Sequence, residues 1–392
     1  MLSRLARYAV MVAVVGFAVF ALLLLVVRFV VFPQVEAYRD TLTAALAKQI
    51  GQPVEIAALT TGWDGWNPKI AIQGFRVRDA SASGAATVLD LPEVDLIVAW
   101  TSLPLLDLRL KELVIDRPRL AIRRDRAGML HVAGLEIDPE LRAEHTPLTD
   151  WILRQPQIVV RDALILWDDE LREAPQLVLD RVQFRLENRF DHHRFGFRGT
   201  PPPEIAAPID VRGDVTSAAL REWEKTEGRL YVRLDYADFA AWREWLPLPV
   251  PIASGQGAMR FWFEFARGEL HALTADLELA DVKAKLASDL PDLKLSHLSG
   301  RVGWRFSGPQ REFFARQLAF DGANGQALAP ANFTLTLRDP TLGAEPGGLF
   351  EFDRLELEPL RDLAAQLPLP DRIRAQLARF APRGTLVRGR AQ

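Results

Sequence analysis

The stretch MRFWFEFA, Met259 to Ala266, decides the fold class of this chain. Its side chains fall into two alternating sets, which would point to opposite faces of a β-strand. The first set is Met259, Phe261, Phe263 and Phe265, and the second is Arg260, Trp262, Glu264 and Ala266. A strand with one apolar face and one mainly polar face is typical of an antiparallel sheet that has one side in water.

The same period of two recurs on both sides of that stretch. It is clearest in Val182–Leu186, Leu273–Leu279 and Phe333–Leu337. Clusters of Gly, Pro and Asp, which favour turns, separate such segments. From this pattern we expect about fifteen to eighteen strands.

Helices are predicted at few places. Three short helices are expected, at Phe239–Leu246, Pro359–Leu367 and Asp371–Phe380, and single turns at Leu103–Leu106 and Ser217–Trp223. They are too few to cover so many strands, so the chain is predicted to be mainly β, with a large antiparallel sheet.

A long apolar run stands near the N-terminus. Ala9 to Val27 reads AVMVAVVGFAVFALLLLVV, and nineteen helical residues span about 28 Å, close to the ~30 Å hydrocarbon core of a bilayer. A cleaved signal peptide is the alternative, but its apolar region is shorter and ends at a cleavage site of small residues. We therefore expect residues 1–32 to form a cytoplasmic stub and a transmembrane helix, whose anchor includes Ala9, Phe17, Leu24 and Val27.

The charges beside this run predict its orientation. Arg4 and Arg7 precede it, and the positive-inside rule then places Met1 in the cytoplasm. The remainder of the chain is expected on the other side of the membrane, with a single pass.

Residues 33–51 are predicted to form an amphipathic helix. Pro33 suits a first helical turn and Gly51 suits a helix end. One apolar stripe is formed at helical spacing by Val35, Tyr38, Leu42, Leu46 and Ile50. Two interpretations stay open, a helix packed on the core or a cap over the open end of a sheet near the membrane.

Composition and motifs argue against several functions. The chain has no cysteine and a formal net charge of −3, which exclude thiolate metal sites and argue against a nucleic-acid partner. We find no Walker, G-x-S-x-G or H-E-x-x-H motif. His192 and His193 are adjacent and would face opposite sides of a strand, while Asp168–Glu170 is typical of turn charges in water. No cofactor, metal or catalytic residue is therefore predicted.

The segment Gly62–Pro68, GWDGWNP, combines turn-forming residues with two indoles. It fits an aromatic anchor at the membrane interface. A rigid turn packed on the first strands is the other interpretation.

Four segments together resemble a known family. They are IGQPVEI at 50–56, TTGWDGWNPKIAIQGFRV at 60–77, LKELVIDRPRLAIRRDRAGMLHVAGL at 110–135, and FDRLELEPLRDLAAQLPLPDRIRAQLARFAPRGTL at 352–386. In their order after the N-terminal helix, they resemble AsmA-like proteins, and among them the YhdP type. The motifs are soft patterns and include no catalytic signature.

The resemblance implies a bacterial inner-membrane protein that projects into the periplasm, akin to the chorein-type bridge proteins that move lipids. It implies a long, curled, mainly antiparallel sheet with an apolar concave face, and a role in phospholipid transport to the outer membrane and in envelope integrity. On this basis residues 52–220 and 221–392 are expected to be two β-groove segments, the second continuing in a longer protein.

Acyl chains are a suitable filler for such a groove, since each methylene kept from water contributes about 0.8 kcal/mol. The inward positions expected to line it are Val182, Phe184, Leu186, Phe261, Phe263, Phe265, Leu273, Leu277, Phe333, Leu335 and Leu337. The expected partners are phospholipid acyl chains and the inner membrane, with no nucleic acid. The alternative is a periplasmic β-sandwich scaffold, with the apolar faces packed on each other, that binds outer-membrane or envelope assembly proteins.

Overall fold

A computed structural model describes residues 2–78, 87–102, 109–132, 135–137, 151, 154–216, 226–246, 251–322, 325–339, 345–367 and 371–392. The chain forms two compact units, Met1–Leu166 and Trp167–Gln392. The predicted division into groove segments at residues 220 and 221 stays a prediction.

The first unit begins with one uninterrupted helical segment. Its parts are α1 (Leu2–Val26), a π-helical turn (Val27–Val31), a 3₁₀ stretch (Phe32–Tyr38) and α2 (Arg39–Ile50). Among the described residues this is the one helix long and apolar enough to cross a membrane.

Pro33 lies in the first turn of the 3₁₀ stretch, as predicted, but the residues before it are helical as well, so no break separates residues 33–51 from α1. A proline inside a helix lacks one backbone donor and crowds the preceding turn, and here the segment stays helical because π and 3₁₀ geometry replace the α form around Pro33. The predicted end is confirmed, since Gly51 closes α2 in the left-handed conformation with φ of 75°.

Nine strands follow among the residues that the structure describes, several of them short. They are β1 (Val54–Glu55), β2 (Ala58–Asp64), β3 (Asn67–Arg78), β4 (Thr87–Val98), β5 (Leu110–Asp116), β6 (Arg119–Arg124), β7 (Leu130–Val132), β8 (Leu135–Ile137) and β9 (Gln157–Asp169). Strands β1 and β2 lie end to end along β3, and β3, β4 and β5 are antiparallel neighbours. Strand β9 returns parallel to β5.

The helical segment covers the outer edge of this sheet, because the 3₁₀ stretch contacts β2 and α2 contacts β1. Four of the five stripe residues are half-buried, but Tyr38 is exposed and Arg39 takes its place on the inner face. Glu36 Oε2 accepts a hydrogen bond of 2.7 Å from the Leu59 backbone N–H. The segment thus satisfies a backbone group of the edge strand, which protects that edge from pairing with other chains.

The second unit is an antiparallel meander in which each strand pairs with the next. Its strands are β10 (Leu177–Arg189), β11 (His192–Thr200), β12 (Ile209–Thr216), β13 (Glu227–Asp238), β14 (Ile252–Ala266), β15 (Glu269–Ala284), β16 (Leu293–Ser307), β17 (Gln310–Gly322), β18 (Ala327–Arg338), β19 (Gly347–Glu356) and β20 (Thr385–Ala391). The mainly β, mostly antiparallel fold is confirmed. The described residues hold twenty strands, more than expected because alternation does not reveal the shortest ones.

In the described part of the meander, three short helices interrupt it: α3 (Phe239–Trp242), α4 (Leu357–Ala364) and α5 (Asp371–Phe380). The prediction for α5 is confirmed, while α3 is shorter than expected and α4 begins and ends earlier. The single turns predicted at Leu103–Leu106 and Ser217–Trp223 lie outside the described residues.

Helices α3 and α4 cover one margin of the sheet. Phe239 of α3 packs with Ala206 and Ala237, and Met259 and Leu279 lie against this cluster. From α4, Leu360 and Leu363 pack on a second cluster that contains Phe320. The core of the second unit therefore lies under these helices, on the same face as Met259.

Bulges bend several strands of this unit. Arg181, Asp281 and Gln317 adopt positive φ values of 47°, 53° and 49°, and the strand register shifts beside Arg181 and Gln317. A bulge increases local twist and bends its strand, so the apolar face does not lie on a flat sheet.

Candidate functional site

Apolar residues form a continuous row across the eleven described strands of the second unit. Directly paired residues of an antiparallel sheet share a face, so the observed register defines this row. We call it row A, and it consists of Leu186, Phe195, Gly213, Leu230, Phe263, Leu273, Trp304, Phe313, Leu335, Phe350 and Ala391.

A second row, row B, runs beside it on the same face. It consists of Phe184, Phe197, Val211, Val232, Phe261, Ala275, Val302, Ala315, Phe333, Phe352 and Gly389. No polar side chain interrupts either row. At about 4.8 Å between strands, the rows extend for about 48 Å across the sheet, more than the ~30 Å hydrocarbon thickness of a bilayer.

Aromatic rings give these rows much of their surface. Phe263 stacks between Phe261 and Phe265, with ring centroids 6.0 and 6.4 Å apart. Phe333 and Phe350 join the two rows with centroids 6.4 Å apart. Such offset contacts hold neighbouring rings in a fixed arrangement.

The two rows are only partly covered. The side chains of Phe263, Trp304 and Phe333 are half-buried, and Phe313 is 38% exposed. A concavity of about 390 Å³ opens on this face, and its lining includes Leu273, Trp304, Phe313, Phe333, Leu335 and Phe350. Where α3 and α4 cover the face it is packed core, and beyond them it presents an apolar surface to its surroundings.

The opposite face is polar and rich in ion pairs. One row there consists of Gln183, Arg198, Asp210, Arg233, Arg260, Asp276, Arg301 and Arg316. Arg301 Nη2 lies 2.8 Å from Asp276 Oδ2, and its hydrogen bond lowers the pKa of that carboxyl. The two faces of one sheet therefore differ sharply in their preference for water.

Two aromatic residues of the polar face are shielded by arginines. The Arg301 guanidinium lies 5.4 Å from the Trp262 ring centroid, and that of Arg316 lies 5.9 Å from the Phe314 ring. Cation–π contacts of this kind keep an aromatic ring compatible with a wetted surface.

All eleven residues predicted to line a groove are brought to the apolar face, but they differ in exposure. Val182 and Leu186 are buried, at 3% and 6% exposure, and belong to the packed part. Phe184, the residues of β14 and β15, Phe333 and Leu335 are half-buried, and Leu337 is 38% exposed. That they bind lipid stays a prediction.

Several residues of the face were not predicted. Trp304, Phe313 and Phe350 belong to row A, and the period of two in WRF (304–306) and FEF (350–352) was a signal that could have revealed two of them. Phe195 and Phe197 were harder to recognise because Gly196 stands between them instead of a polar residue.

The histidines and carboxylates considered as candidates for catalysis or metal binding do not form a common site. The His192 and His193 side chains lie on opposite faces, and His193 Nδ1 is 2.7 Å from Asn188 Oδ1. Asp169 differs from the expected solvated turn charge: it is only 2% exposed, and its carboxylate accepts a hydrogen bond from the Arg172 backbone N–H in the β9–β10 turn. Among the described residues no group of three His, Cys, Asp or Glu could hold a metal ion.

The comparison with known families agrees with this architecture. A family model described as YhdP protein matches residues 1–392, the whole chain. The chain belongs to the YhdP family. No curated protein matches it. The predicted resemblance to AsmA-like proteins of the YhdP type is thus confirmed. The architecture of this YhdP-family chain, a helix able to span a membrane followed by a large β-sheet, agrees with the family assignment.

Proposed function

We propose that this chain is a periplasmic phospholipid conduit anchored in the inner membrane, whose apolar sheet face shields acyl chains on their way between the inner and outer membranes. The observation that carries the proposal is the pair of uninterrupted apolar rows that α3 and α4 leave partly uncovered. In a unit surrounded by water, a large exposed apolar surface usually marks a site that binds a partner or ligand.

The energetics favour acyl chains as the occupant. A two-chain lipid that crosses water unshielded exposes about thirty methylenes, a cost on the order of 25 kcal/mol at about 0.8 kcal/mol each. A continuous apolar surface lowers that barrier at every step and requires no particular residue. The conduit would therefore work passively, without catalysis, and support envelope integrity by supplying lipid to the outer membrane.

The N-terminal segment supports the location. α1 contains the apolar run except its last residue, Val27, and Arg4 and Arg7 precede that run, which favours a cytoplasmic N-terminus. Both β-units would then stand in the periplasm.

A matched pair of variants tests the proposal. Leu335 lies in row A, whereas its neighbour Thr334 lies on the polar face and its hydroxyl accepts a hydrogen bond of 2.9 Å from Arg316 Nη1. Leu335→Asp introduces a charge on the apolar face, while Thr334→Asp introduces the same charge beside an arginine.

The readout is phospholipid crosslinked in intact envelopes to a photoreactive benzoylphenylalanine at position 313. We expect Leu335→Asp to lower the crosslinked lipid at least several-fold and Thr334→Asp to leave it near the parent level. Equal yields from both variants, or no lipid on the parent protein, would contradict the proposal. In the second case a scaffold that binds envelope proteins would be favoured.

A further inference from the structure

We infer that the β2–β3 turn, with the indole side chains of Trp63, Trp66 and Trp100, is a second membrane contact that inserts at the hydrocarbon boundary beside the membrane-spanning helix. This inference goes beyond the proposed function, because it holds whether or not the second unit carries lipid. It concerns the first unit alone.

Aromatic contacts join the end of the sheet that carries the β2–β3 turn to the N-terminal helical segment. Trp100, just after β4, packs edge-on against Phe20 of α1 with ring centroids 5.1 Å apart. Trp63 of β2 lies 5.2 Å from Phe32, and the Trp63 and Trp100 rings stack at 6.3 Å. Phe20 lies well inside the apolar run of Ala9–Val27, so the sheet touches the helix at membrane depth.

A third indole projects outward from the same end of the sheet. Trp100 Nε1 donates a hydrogen bond of 2.9 Å to the Trp66 carbonyl, which ties the turn to the end of β4. The Trp66 side chain itself is 73% exposed. Tryptophan is enriched where hydrocarbon meets headgroups, since its ring is apolar and its N–H is polar. A lipid surface is therefore the cover that fits Trp66.

The register between helix and strand gives the depth independently. Glu36 bonds to Leu59, and Trp63 meets Phe32, so β2 runs back along the helix toward its N-terminus. From Leu59 to Gly65 the strand covers about 20 Å, which equals about thirteen helical residues. The turn thus reaches the level of about Leu23, some four residues before Val27, where the apolar run ends.

The polar residues of the turn are compatible with this depth. Asp64 is exposed at the tip, and Asn67 Nδ2 donates to the Asp64 carbonyl. Four helical residues correspond to about 6 Å, so the turn lies just inside the end of the apolar run, where a carboxylate reaches the headgroups and stays hydrated while the neighbouring indoles contact hydrocarbon. The turn is therefore placed at the boundary and not in the bilayer centre.

Spin labels on single cysteines test this inference directly, because the chain has no cysteine of its own. The test variant is Trp66→Cys, and the matched control is Gln73→Cys, an exposed position on β3, the strand that follows the turn. Asn67 and Gln73 are about 20 Å apart along that strand. Val15→Cys, at an exposed position within α1, supplies the membrane reference.

The labelled full chain is placed in vesicles of phosphatidylethanolamine and phosphatidylglycerol, and collision with oxygen and with a water-soluble nickel chelate is measured. We expect the Trp66→Cys label to favour oxygen over nickel, as the Val15→Cys label does, and the Gln73→Cys label to favour nickel. A label at Asp64→Cys checks the same turn at a second exposed position. Nickel accessibility at positions 64 and 66 equal to that at position 73 would overturn the inference.

Discussion

The ring of Phe195 on β11 fills the space beside Gly213 on β12, so that a Cβ on Gly213 would lie 2.2 Å from Phe195 Cε1. Row A therefore needs a residue without a side chain at this position, because no Cβ fits there while the ring lies in place.

Gly213→Ala is expected to displace that ring and to destabilise the second unit by about 1–3 kcal/mol, the usual range for overpacking. The control is Gly196→Ala on β11, where an added Cβ meets nothing within 4 Å. Thermal unfolding in detergent should show a lowered Tm for Gly213→Ala only. Equal Tm values for the two variants would show that Phe195 moves aside freely.

Asp238 determines where α3 begins. Its Oδ1 accepts hydrogen bonds of 2.9 and 3.1 Å from the N–H groups of Ala240 and Ala241. We expect Asp238→Ala to cost about 1 kcal/mol of unfolding free energy, as for a lost helix cap, and to loosen Phe239. Asp235→Ala removes a carboxylate from an exposed ion pair with Arg233 and should cost less. A larger loss of Tm for Asp235→Ala would contradict this role.

The ion pair of Asp276 and Arg301 predicts a pH dependence. Arg301 lowers the pKa of Asp276 below its ordinary value of 3.8, so the native state favours the ionised carboxyl. Its stabilising contribution is present above pH 3.8 and is lost as the pH falls through the lowered pKa.

Wild type should therefore melt slightly higher than Asp276→Asn at pH 7, and the difference in Tm should close in strong acid. The effect is small because Arg301 is half exposed and water screens such pairs. A difference in Tm that widens toward low pH would contradict the assigned sign.

Glu36 is expected to protect the edge of the first sheet. Glu36→Ala leaves the Leu59 N–H without its carboxylate acceptor, which costs about 1 kcal/mol at a partly exposed site. Amide hydrogen exchange in residues 58–64 should then accelerate. Asp40→Ala, which removes a carboxylate that is 88% exposed, should leave that exchange unchanged; acceleration in both variants would contradict a specific role for Glu36.

The apolar face could be predicted from sequence to a large extent, because side-chain parity along a strand depends only on the period of two. Phe261, Phe263 and Leu335 were identified in this way. The alternation along one strand does not determine which residues of neighbouring strands lie opposite each other. The alignment of Phe263 with Leu273 and Trp304 into one row became visible only with the strand register.

Other features depended on contacts that are distant in sequence. Pro33 indicated a helix start, but the segment stays helical through it and packs along β1 and β2. Asp169 had the sequence context of a solvated turn, yet a local hydrogen bond from the Arg172 N–H accompanies its burial. For Gly62–Pro68 the two interpretations could be weighed only once Trp63 and Trp100 were found against the helix.

A crosslinking scan along β14 tests the central claim most directly. Benzoylphenylalanine is placed in turn at positions 260 to 265 of the full chain, and phospholipid bound to each variant is quantified after irradiation of intact envelopes. The account predicts an alternating yield, high at Phe261, Phe263 and Phe265 and low at Arg260, Trp262 and Glu264. Equal amounts of phospholipid on the two alternating sets of positions, or no phospholipid on either set, would contradict a one-sided apolar conduit.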